Sequence, residues 1–261
     1  DQWRSRGLGD VYKRQLLSEI DIDHGFEIEI KKGIKPGSGI GSSAASSAGT
    51  VFGINQLLNS PFSLLDLVRF SMEGEKFVSG SYHADNVAPI IFGGITLVRN
   101  IDDLDIISLP TPKDLEVVIV RSNIEIKTAD SRKVVKKKVK IEKMTQQSAN
   151  LGSFVSSLYS EDYNLMSRSV IDRIVEPDRA FLIPEFEKIK IISKKSGSIA
   201  AGISGSGPSI FSLSNHRDTS NRILEKISNH YNSVNIDHDG FISKVNSGGI
   251  KIMETKWNIL A

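Results

Sequence analysis

The spacing of apolar residues changes along the chain, and it predicts which segments are strands and which are helices. Phe26–Ile30 alternates apolar and acidic residues, which is typical of a half-exposed strand. Ser63 is a good N-cap for the helical pattern that follows it. The predicted strands are 26–30, 90–92, 95–98, 115–120, 210–213, 240–245 and 249–253, and the predicted helices are 44–58, 64–75, 129–158 and 219–231.

The order of these elements mixes helices and strands irregularly and contains no internal repeat, so the predicted fold class is α+β. Residues 80–89 show little periodicity and predict a loop.

Pro110 and Pro112 mark a predicted boundary between domains at 16–112 and 113–261. Residues 1–15 lack periodicity and predict a non-native leader, with a genuine mobile N-terminus as the alternative. Pro177 and Pro184 predict breaks in the later helices.

Composition narrows the function classes. The 261 residues are 39% hydrophobic and 25% charged, with a net charge of +2. That balance gives no general attraction to nucleic acid or to a membrane surface, and the lysine run at 133–140 predicts a solvated face. There is no cysteine, which excludes disulfides, thiolate metal sites and a cysteine nucleophile. No apolar run is long enough for a membrane span and no signal peptide is visible, so we expect a cytoplasmic protein.

The candidate chemistry centres on the glycine-serine segment Lys35–Ser47, which lies between the first predicted strand and the first predicted helix. A glycine-rich turn that leads into a helix presents unpaired N–H groups at the positive end of the helix dipole, and such groups bind phosphate. A dinucleotide-binding fingerprint is disfavoured, because the preceding strand alternates with glutamates and no acidic residue lies between Ser42 and Leu65. The Gly-Lys-Ser/Thr end of a Walker A loop is missing. A helix start whose glycines serve only close packing is the remaining alternative.

Two segments resemble motifs of the GHMP small-molecule kinases. Pro36–Ala45 is similar to their second motif, and Gly202–Pro208 resembles their third motif, which braces the nucleotide loop. The resemblance implies an N-terminal domain like the second domain of ribosomal protein S5 and a ferredoxin-like C-terminal domain. The ATP-binding residues that it implies are Pro36, Gly37, Ser38, Gly39, Ile40, Gly41, Ser42, Ser43, Ala44, Gly205, Ser206 and Gly207.

Three further segments, Glu75–Pro89, Thr128–Arg132 and Val175–Pro184, resemble the branch of this family that phosphorylates the hydroxyl of L-homoserine. For substrate binding, the resemblance implies His83, Arg132 and Arg179, and two arginines suit bidentate capture of a carboxylate. The structural alternatives are a packed histidine and, for Arg132, one more charge on a basic helix face.

The same resemblance implies a Mg²⁺ site at Ser43 and Glu75, and it makes Glu75 and Asn86 the catalytic residues. Asn86 would hydrogen-bond the substrate hydroxyl or the phosphates. Glu75 could instead be an exposed residue at a helix end, and the nearby Glu73 could be confused with it. No catalytic base is assigned to Asp85, since phosphoryl transfer has a loose transition state that positioning and charge can stabilise.

The resemblance covers the chain from about Ile20 onward, and no counterpart of the family's first motif is visible in residues 1–19. We therefore expect missing sheet strands, exposed edges and poor folding of this polypeptide. The implied reaction feeds threonine synthesis, and a homodimer is compatible with it. The alternatives are a mevalonate-pathway or sugar kinase of the same family, and a catalytically silent nucleotide or amino-acid binding module.

Overall fold

The computed structural model describes residues 26–79, 82–124 and 128–253, together with Leu16, Glu19 and Ile126; the side chains at 77–79, 128 and 129 are not described. The chain folds into two compact units. The first takes in 43–108 with the described residues that precede 33 and those that follow 245, and the second takes in 33–42 and 109–245. The predicted leader at 1–15 lies outside the described residues, and the domain bounds 16–112 and 113–261 stay a prediction.

The first unit packs three helices against a small sheet. Ser63 and Asp66 form a capping box at the start of the second helix, because the Ser63 Oγ accepts from the Asp66 N–H (3.3 Å) and the Asp66 carboxylate accepts from the Ser63 N–H (3.1 Å). Ala44, Ala48 and Val51 recur at helical spacing and are buried in its core. The elements are α1 (Ser42–Leu57, which starts one residue before the unit), α2 (Leu64–Ser79), α3 (Ala84–Phe92), β1 (Ile95–Asn100) and β2 (Asp105–Leu109, which ends one residue after it), with β1 paired to β2.

The second unit is built on a four-stranded antiparallel sheet in the order β4-β5-β3-β6. In its register Val118 lies opposite Ser212 on one side and Ile242 on the other. The elements are β3 (Glu116–Ser122), α4 (Thr128–Lys133), α5 (Ile141–Ser160), α6 (Tyr163–Ser169), α7 (Glu176–Arg179), a 3₁₀ turn (Ala180–Leu182), α8 (Phe186–Lys195), β4 (Ala200–Ile203), β5 (Ser209–Ser214), α9 (Arg217–Ser233) and β6 (His238–Lys244).

This strand order, with helices between the first and second strands and between the third and fourth, is that of a ferredoxin-like domain. Its core packs Val118 and Ile210 of the sheet against Ile189 of α8 and Ile223 of α9. The α+β prediction is therefore confirmed, as are most of the predicted helices and strands.

The segment from 84 to 92 was predicted wrongly, while residues 80 and 81 of the predicted loop lie outside the described residues. Residues 84–92 form helix α3 rather than a loop followed by a strand, and Pro89 lies inside the helix. Ala84, Val87, Ala88 and Ile91 are buried at the spacing of one helix face. Burial of this apolar face outweighs the one backbone hydrogen bond that Pro89 cannot donate.

Two predicted strands are not strands in the structure. Residues 26–30 are irregular, since none of the described strands pairs with them, and alternation alone does not supply a hydrogen-bonded partner. Residues 249–253 are also irregular. Gly249 adopts a positive φ of 62°, and a Cβ there would lie 2.5 Å from the Ile91 carbonyl oxygen, so the chain turns at this point instead of extending.

The predicted helix at 129–158 is two helices, α4 and α5, with a break at 134–140. That stretch holds repeated lysines and β-branched valines, and like charges and stiff side chains both disfavour a helix.

Pro177 does not end a helix but lies in the first turn of α7, where its missing N–H costs nothing, whereas Pro184 does separate the 3₁₀ turn from α8. Within the described residues, no helix is both long and apolar enough to cross a membrane.

Candidate active site

The glycine-serine loop at 33–42 is shaped by close backbone packing. Gly39 has a φ of 76°, a left-handed conformation that favours glycine. A Cβ at this position would lie 2.5 Å from the Gly207 carbonyl oxygen and 2.6 Å from that of Ser204. No larger residue fits there without moving the backbone of the second glycine loop.

Serines of the second glycine loop and of the following strand hold the first loop in place. The Ser204 Oγ donates to the Gly39 carbonyl oxygen (3.0 Å), and the Ser209 Oγ donates to that of Ser38 (2.6 Å). The Ser209 backbone N–H also donates to the Ser38 carbonyl oxygen (3.3 Å). The backbones of the first glycine loop and of residues 204–209, which are far apart in sequence, therefore lie directly against each other.

The other predicted ATP-binding residues belong to the two glycine loops or to the start of α1. Ser42 donates from its Oγ to the Ile34 carbonyl oxygen (2.7 Å), which closes the loop on itself. The first turn of α1 contains no acidic residue of its own. Pro36, Gly37 and Gly205 are exposed, Ile40, Gly41, Ser43 and Ser206 are half-buried, and Ser38, Ser42, Ala44 and Gly207 are buried. Such a loop and helix start can hold a phosphate group.

Ser43 and Glu75 meet in the first unit. The Ser43 Oγ donates to Glu75 Oε1 at 2.6 Å, and Glu75 is only 5% exposed although it lies in the last part of α2. The alternative of an exposed helix-end residue is therefore wrong. Burial raises the pKa of Glu75 above its ordinary range, against the opposing effects of the Ser43 hydrogen bond and of the nearby His83 and Lys32.

Glu73, two residues earlier on α2, differs from Glu75. It is half-buried, and its Oε1 accepts a hydrogen bond from the hydroxyl of Tyr82 (2.8 Å) on an exposed part of the surface. Because successive residues on a helix point in different directions, the two carboxylates occupy distinct environments. Only Glu75 is paired with the hydroxyl at the start of α1.

His83 and Asn86 lie at the N-terminal end of α3. His83 is the N-cap residue, its Nδ1 lies 3.7 Å from Asp85 Oδ1, and it contributes to the electrostatic environment of Glu75. Asn86 lies in the first turn of α3 and is exposed. The Asp85 side chain is 72% exposed, which leaves its carboxylate in a watery environment.

Arg132 and Arg179 are brought together in the second unit. Arg179 donates from Nε to the Ser131 carbonyl oxygen (3.1 Å) and from Nη1 to the Gly205 carbonyl oxygen (3.0 Å). Burial first, and then repulsion from Arg132, lower the pKa of Arg179, while Asp172 opposes both. An anion near both guanidinium groups would offset this repulsion.

The predicted site residues thus fall into two groups, one in each unit. The first unit holds Ser43, Ala44, Glu75, His83 and Asn86, and the second holds the loop from Pro36 to Ser42, Gly205, Ser206, Gly207, Arg132 and Arg179. Among the described residues, no cluster of three or more His, Asp or Glu side chains could hold a metal ion. The Ser43 and Glu75 pair offers two hard oxygen ligands instead.

Several connecting residues were not predicted. Asp172 caps α7, since its carboxylate accepts from the N–H groups of Ile174 (2.8 Å), Val175 (2.9 Å) and Glu176 (2.9 Å). Asp172 lies four residues before Glu176 and the N-cap residue of α7 is Val175, so the usual capping signal does not identify it. Ser131, Ser204 and Ser209 lie within or beside the segments that carry the resemblance, but no local pattern indicates their partners.

A glycine loop at a helix start, braced by a second glycine loop and accompanied by a ferredoxin-like unit, defines a class of small-molecule kinases. Family models agree: residues 8–94 match the GHMP kinases N-terminal domain, and residues 154–233 match the GHMP kinases C-terminal domain. The chain belongs to the GHMP kinase family. It is therefore a kinase, and hence a transferase.

The names of individual relatives are more specific than the name of the family. The chain is 38% identical over 236 residues to the homoserine kinase of Chlorobium phaeobacteroides (strain BS1), covering 90% of this chain and 74% of that one. It is 39% identical over 206 residues to the homoserine kinase of Methanococcus maripaludis (strain C5). That match covers 78% of this chain and 67% of the relative. The crystal structure of homoserine kinase from Cytophaga hutchinsonii matches with a TM-score of 0.90 and 40% identity, over 93% of this chain and 77% of that one.

Proposed function

We propose that this chain transfers the γ-phosphoryl group of ATP to the hydroxyl of L-homoserine, which yields O-phospho-L-homoserine and ADP. The pair Arg132 and Arg179 supports the proposal most strongly, because Arg179 is bonded to Gly205 of the second glycine loop. Such a pair suits the carboxylate of an amino acid, whereas a mevalonate or sugar substrate carries its carboxylate elsewhere or has none. The relatives named homoserine kinase support the same substrate.

The phosphates of ATP bind along the loop at 36–42 and at the first turn of α1. Backbone N–H groups carry this interaction, and Gly39 lets the loop lie against Ser204 and Gly207 without a side chain between them. The hydrogen bonds from Ser204 and Ser209 hold the loop against the second glycine loop, which limits the conformations that its N–H groups can take.

Mg²⁺ belongs to the same proposal, and Ser43 and Glu75 fit it. One buried carboxylate and one hydroxyl are the hard oxygen ligands that this ion takes alongside phosphate oxygens. The raised pKa of Glu75 indicates that burial of its charge is unfavourable, and a divalent cation would offset that cost. When bound, the ion would neutralise developing charge on the phosphates.

The remaining residues orient the amino acid. Arg132 and Arg179 hold its carboxylate, and by the resemblance His83 contributes to substrate binding and Asn86 hydrogen-bonds the hydroxyl. No side chain is assigned as a base, and Asp85 is mostly exposed to solvent. The hydroxyl proton passes to a phosphate oxygen, which a loose transition state permits. The proposal includes a cytoplasmic location and a role in threonine synthesis, and the homodimer stays a prediction.

A coupled assay of ADP release tests the proposal. The 261-residue chain is incubated with Mg²⁺ and ATP plus L-homoserine, plus mevalonate, or with neither. We expect ADP release that depends on L-homoserine and a phosphorylated product detected by ³¹P NMR. Release with mevalonate but not homoserine would favour another kinase of the family. Binding of ATP without any release would favour the silent binding module.

A further inference from the structure

Ser131 contacts the substrate-side arginine and the second glycine loop at the same time. It lies in α4 directly before Arg132 and is fully buried. Its Oγ donates to the Ser206 carbonyl oxygen (2.9 Å), and its own carbonyl oxygen accepts from Arg179 Nε (3.1 Å). A residue that is bonded through both its side chain and its backbone fixes α4 against the loop.

The contacts continue from Ser131 to the first glycine loop. Arg179 Nη1 donates to Gly205, and the Ser204 Oγ donates to Gly39, where a Cβ would have no room. One unbroken series of hydrogen bonds and backbone contacts thus leads from the arginine pair to the loop at 33–42. Every residue in the series belongs to the second unit.

Arg179 can bind a carboxylate without releasing this series. A guanidinium carries five N–H donors, and the two backbone contacts use two of them. A bound carboxylate would hold the guanidinium still, which in turn orders the Ser131 and Gly205 carbonyls and the loop that they join. A second ligand then binds to a loop that is already ordered and loses less conformational entropy.

We propose that Ser131 is a positioning residue that couples the two substrates, so that an amino acid bound at Arg132 and Arg179 raises the affinity of the glycine loop for nucleotide phosphates. The proposal rests on the proposed function. By linkage, the nucleotide raises the affinity for the amino acid by the same factor. Ser131 itself touches neither ligand.

Calorimetry with a non-hydrolysable ATP analogue and Mg²⁺, with and without saturating L-homoserine, measures the coupling directly. In the unsubstituted chain we expect the analogue to bind about five-fold more tightly when L-homoserine is present, the effect of roughly one hydrogen bond. In Ser131→Ala the factor falls to about one, while analogue affinity measured alone changes less than about two-fold. In turnover, this variant has raised KM values for both substrates and a nearly unchanged kcat.

Ser193→Ala is the matched control. Ser193 is also fully buried in the second unit, and its Oγ donates to the Ser212 Oγ (2.7 Å), away from both glycine loops. It should lose stability as Ser131→Ala does, yet keep the coupling factor. Should Ser131→Ala not fold, Ser204→Ala interrupts the series one step later and should likewise remove the coupling.

Two results would overturn the coupling: a factor near one in the unsubstituted chain, or an equal factor in the unsubstituted, Ser131→Ala and Ser204→Ala proteins. Failure of the proposed function is recognised separately. In that case the unsubstituted chain gives no homoserine-dependent ADP release, and L-homoserine produces no heat on titration. Activity with unchanged coupling therefore counts against Ser131 alone.

Discussion

The two groups of site residues are stabilised by different physical means. In the first unit, a single buried carboxyl group on α2 is paired with one hydroxyl, and burial raises its pKa. In the second, the arginine pair and the glycine loops are joined mostly through backbone carbonyl oxygens. The group in the first unit therefore depends on the charge of a few atoms. The group in the second unit depends on close backbone packing and on the order of the loops. Substitutions should separate these two properties.

The strongest test of the charge-dependent group is Glu75→Gln. It keeps the shape and can still accept the Ser43 hydrogen bond, but it removes the anionic ligand. We expect kcat to fall about 10²–10³-fold, as when one preorganised electrostatic group is lost, with little loss of stability. Steady-state kinetics and thermal melting measure the two effects.

Glu73→Gln is its matched control on the same helix. Glu73 accepts from Tyr82 at the surface, so we expect kcat within about two-fold of the unsubstituted chain. Equal losses in both variants would show that general charge on α2, and not the buried carboxylate, matters.

The strongest test of the shape-dependent group is Gly39→Ala. The new Cβ would meet two backbone oxygens and adopt an unfavourable positive φ, so we expect a loss of about 2–4 kcal/mol in unfolding free energy and a raised KM for ATP. Gly152→Ala is the control in the same unit, since nothing lies within 4 Å of that position in α5. It should stabilise the chain by about 0.5–1 kcal/mol. Denaturant melts that show the same sign for both variants would contradict the packing of the two glycine loops.

A smaller effect is expected from Arg132→Lys. The charge remains, but the planar pair of donors is lost, so KM for L-homoserine should rise about ten-fold while KM for ATP changes less. Lys133→Met, on the same short helix, removes an exposed cation that pairs with Asp130 (3.0 Å) and should leave both KM values within about two-fold. If Lys133→Met raised KM for L-homoserine as much, the general basic charge of α4 would be responsible.

The smallest expected effect is in the pH dependence of stability. The pKa of Glu75 is raised in the folded state by burial, so the folded chain binds this proton more tightly than the unfolded chain. The resulting stabilisation is complete below the unfolded pKa and is lost as pH rises through the folded one. Glu75→Gln lacks this loss, so its stability relative to the unsubstituted chain should increase across that window. Melts at a series of pH values, without nucleotide or Mg²⁺, would contradict the raised pKa if the two curves stayed parallel.

Local sequence patterns predicted much of the fold. The apolar spacing of α1 and the Ser63 cap of α2 are properties of adjacent residues, and both elements form as predicted. Helix α3 was missed because residues 80–89 show little periodicity, although Ala84, Val87 and Ile91 lie on one buried face in the structure. The packing that buries this face is supplied only by the tertiary structure.

The candidate site was less predictable from spacing. Glu73 and Glu75 are two residues apart, and nothing in the composition of α2 shows which of them is buried. Resemblance to known motifs supplied Glu75, and the structure shows its partner. The contacts of Ser38, Ser131 and Ser204 join segments that are distant in sequence, so no local pattern could have predicted them.

The bond between Ser38 and Ser209 also sets the order of events during synthesis. These residues are 171 positions apart. At the usual rate of translation, roughly 10–30 s pass between the emergence of the glycine loop and that of the strand that holds it. Throughout that interval the nascent loop lacks its hydrogen bonds from Ser209. The loop can therefore reach the conformation seen in the structure only after most of the second unit has been synthesised.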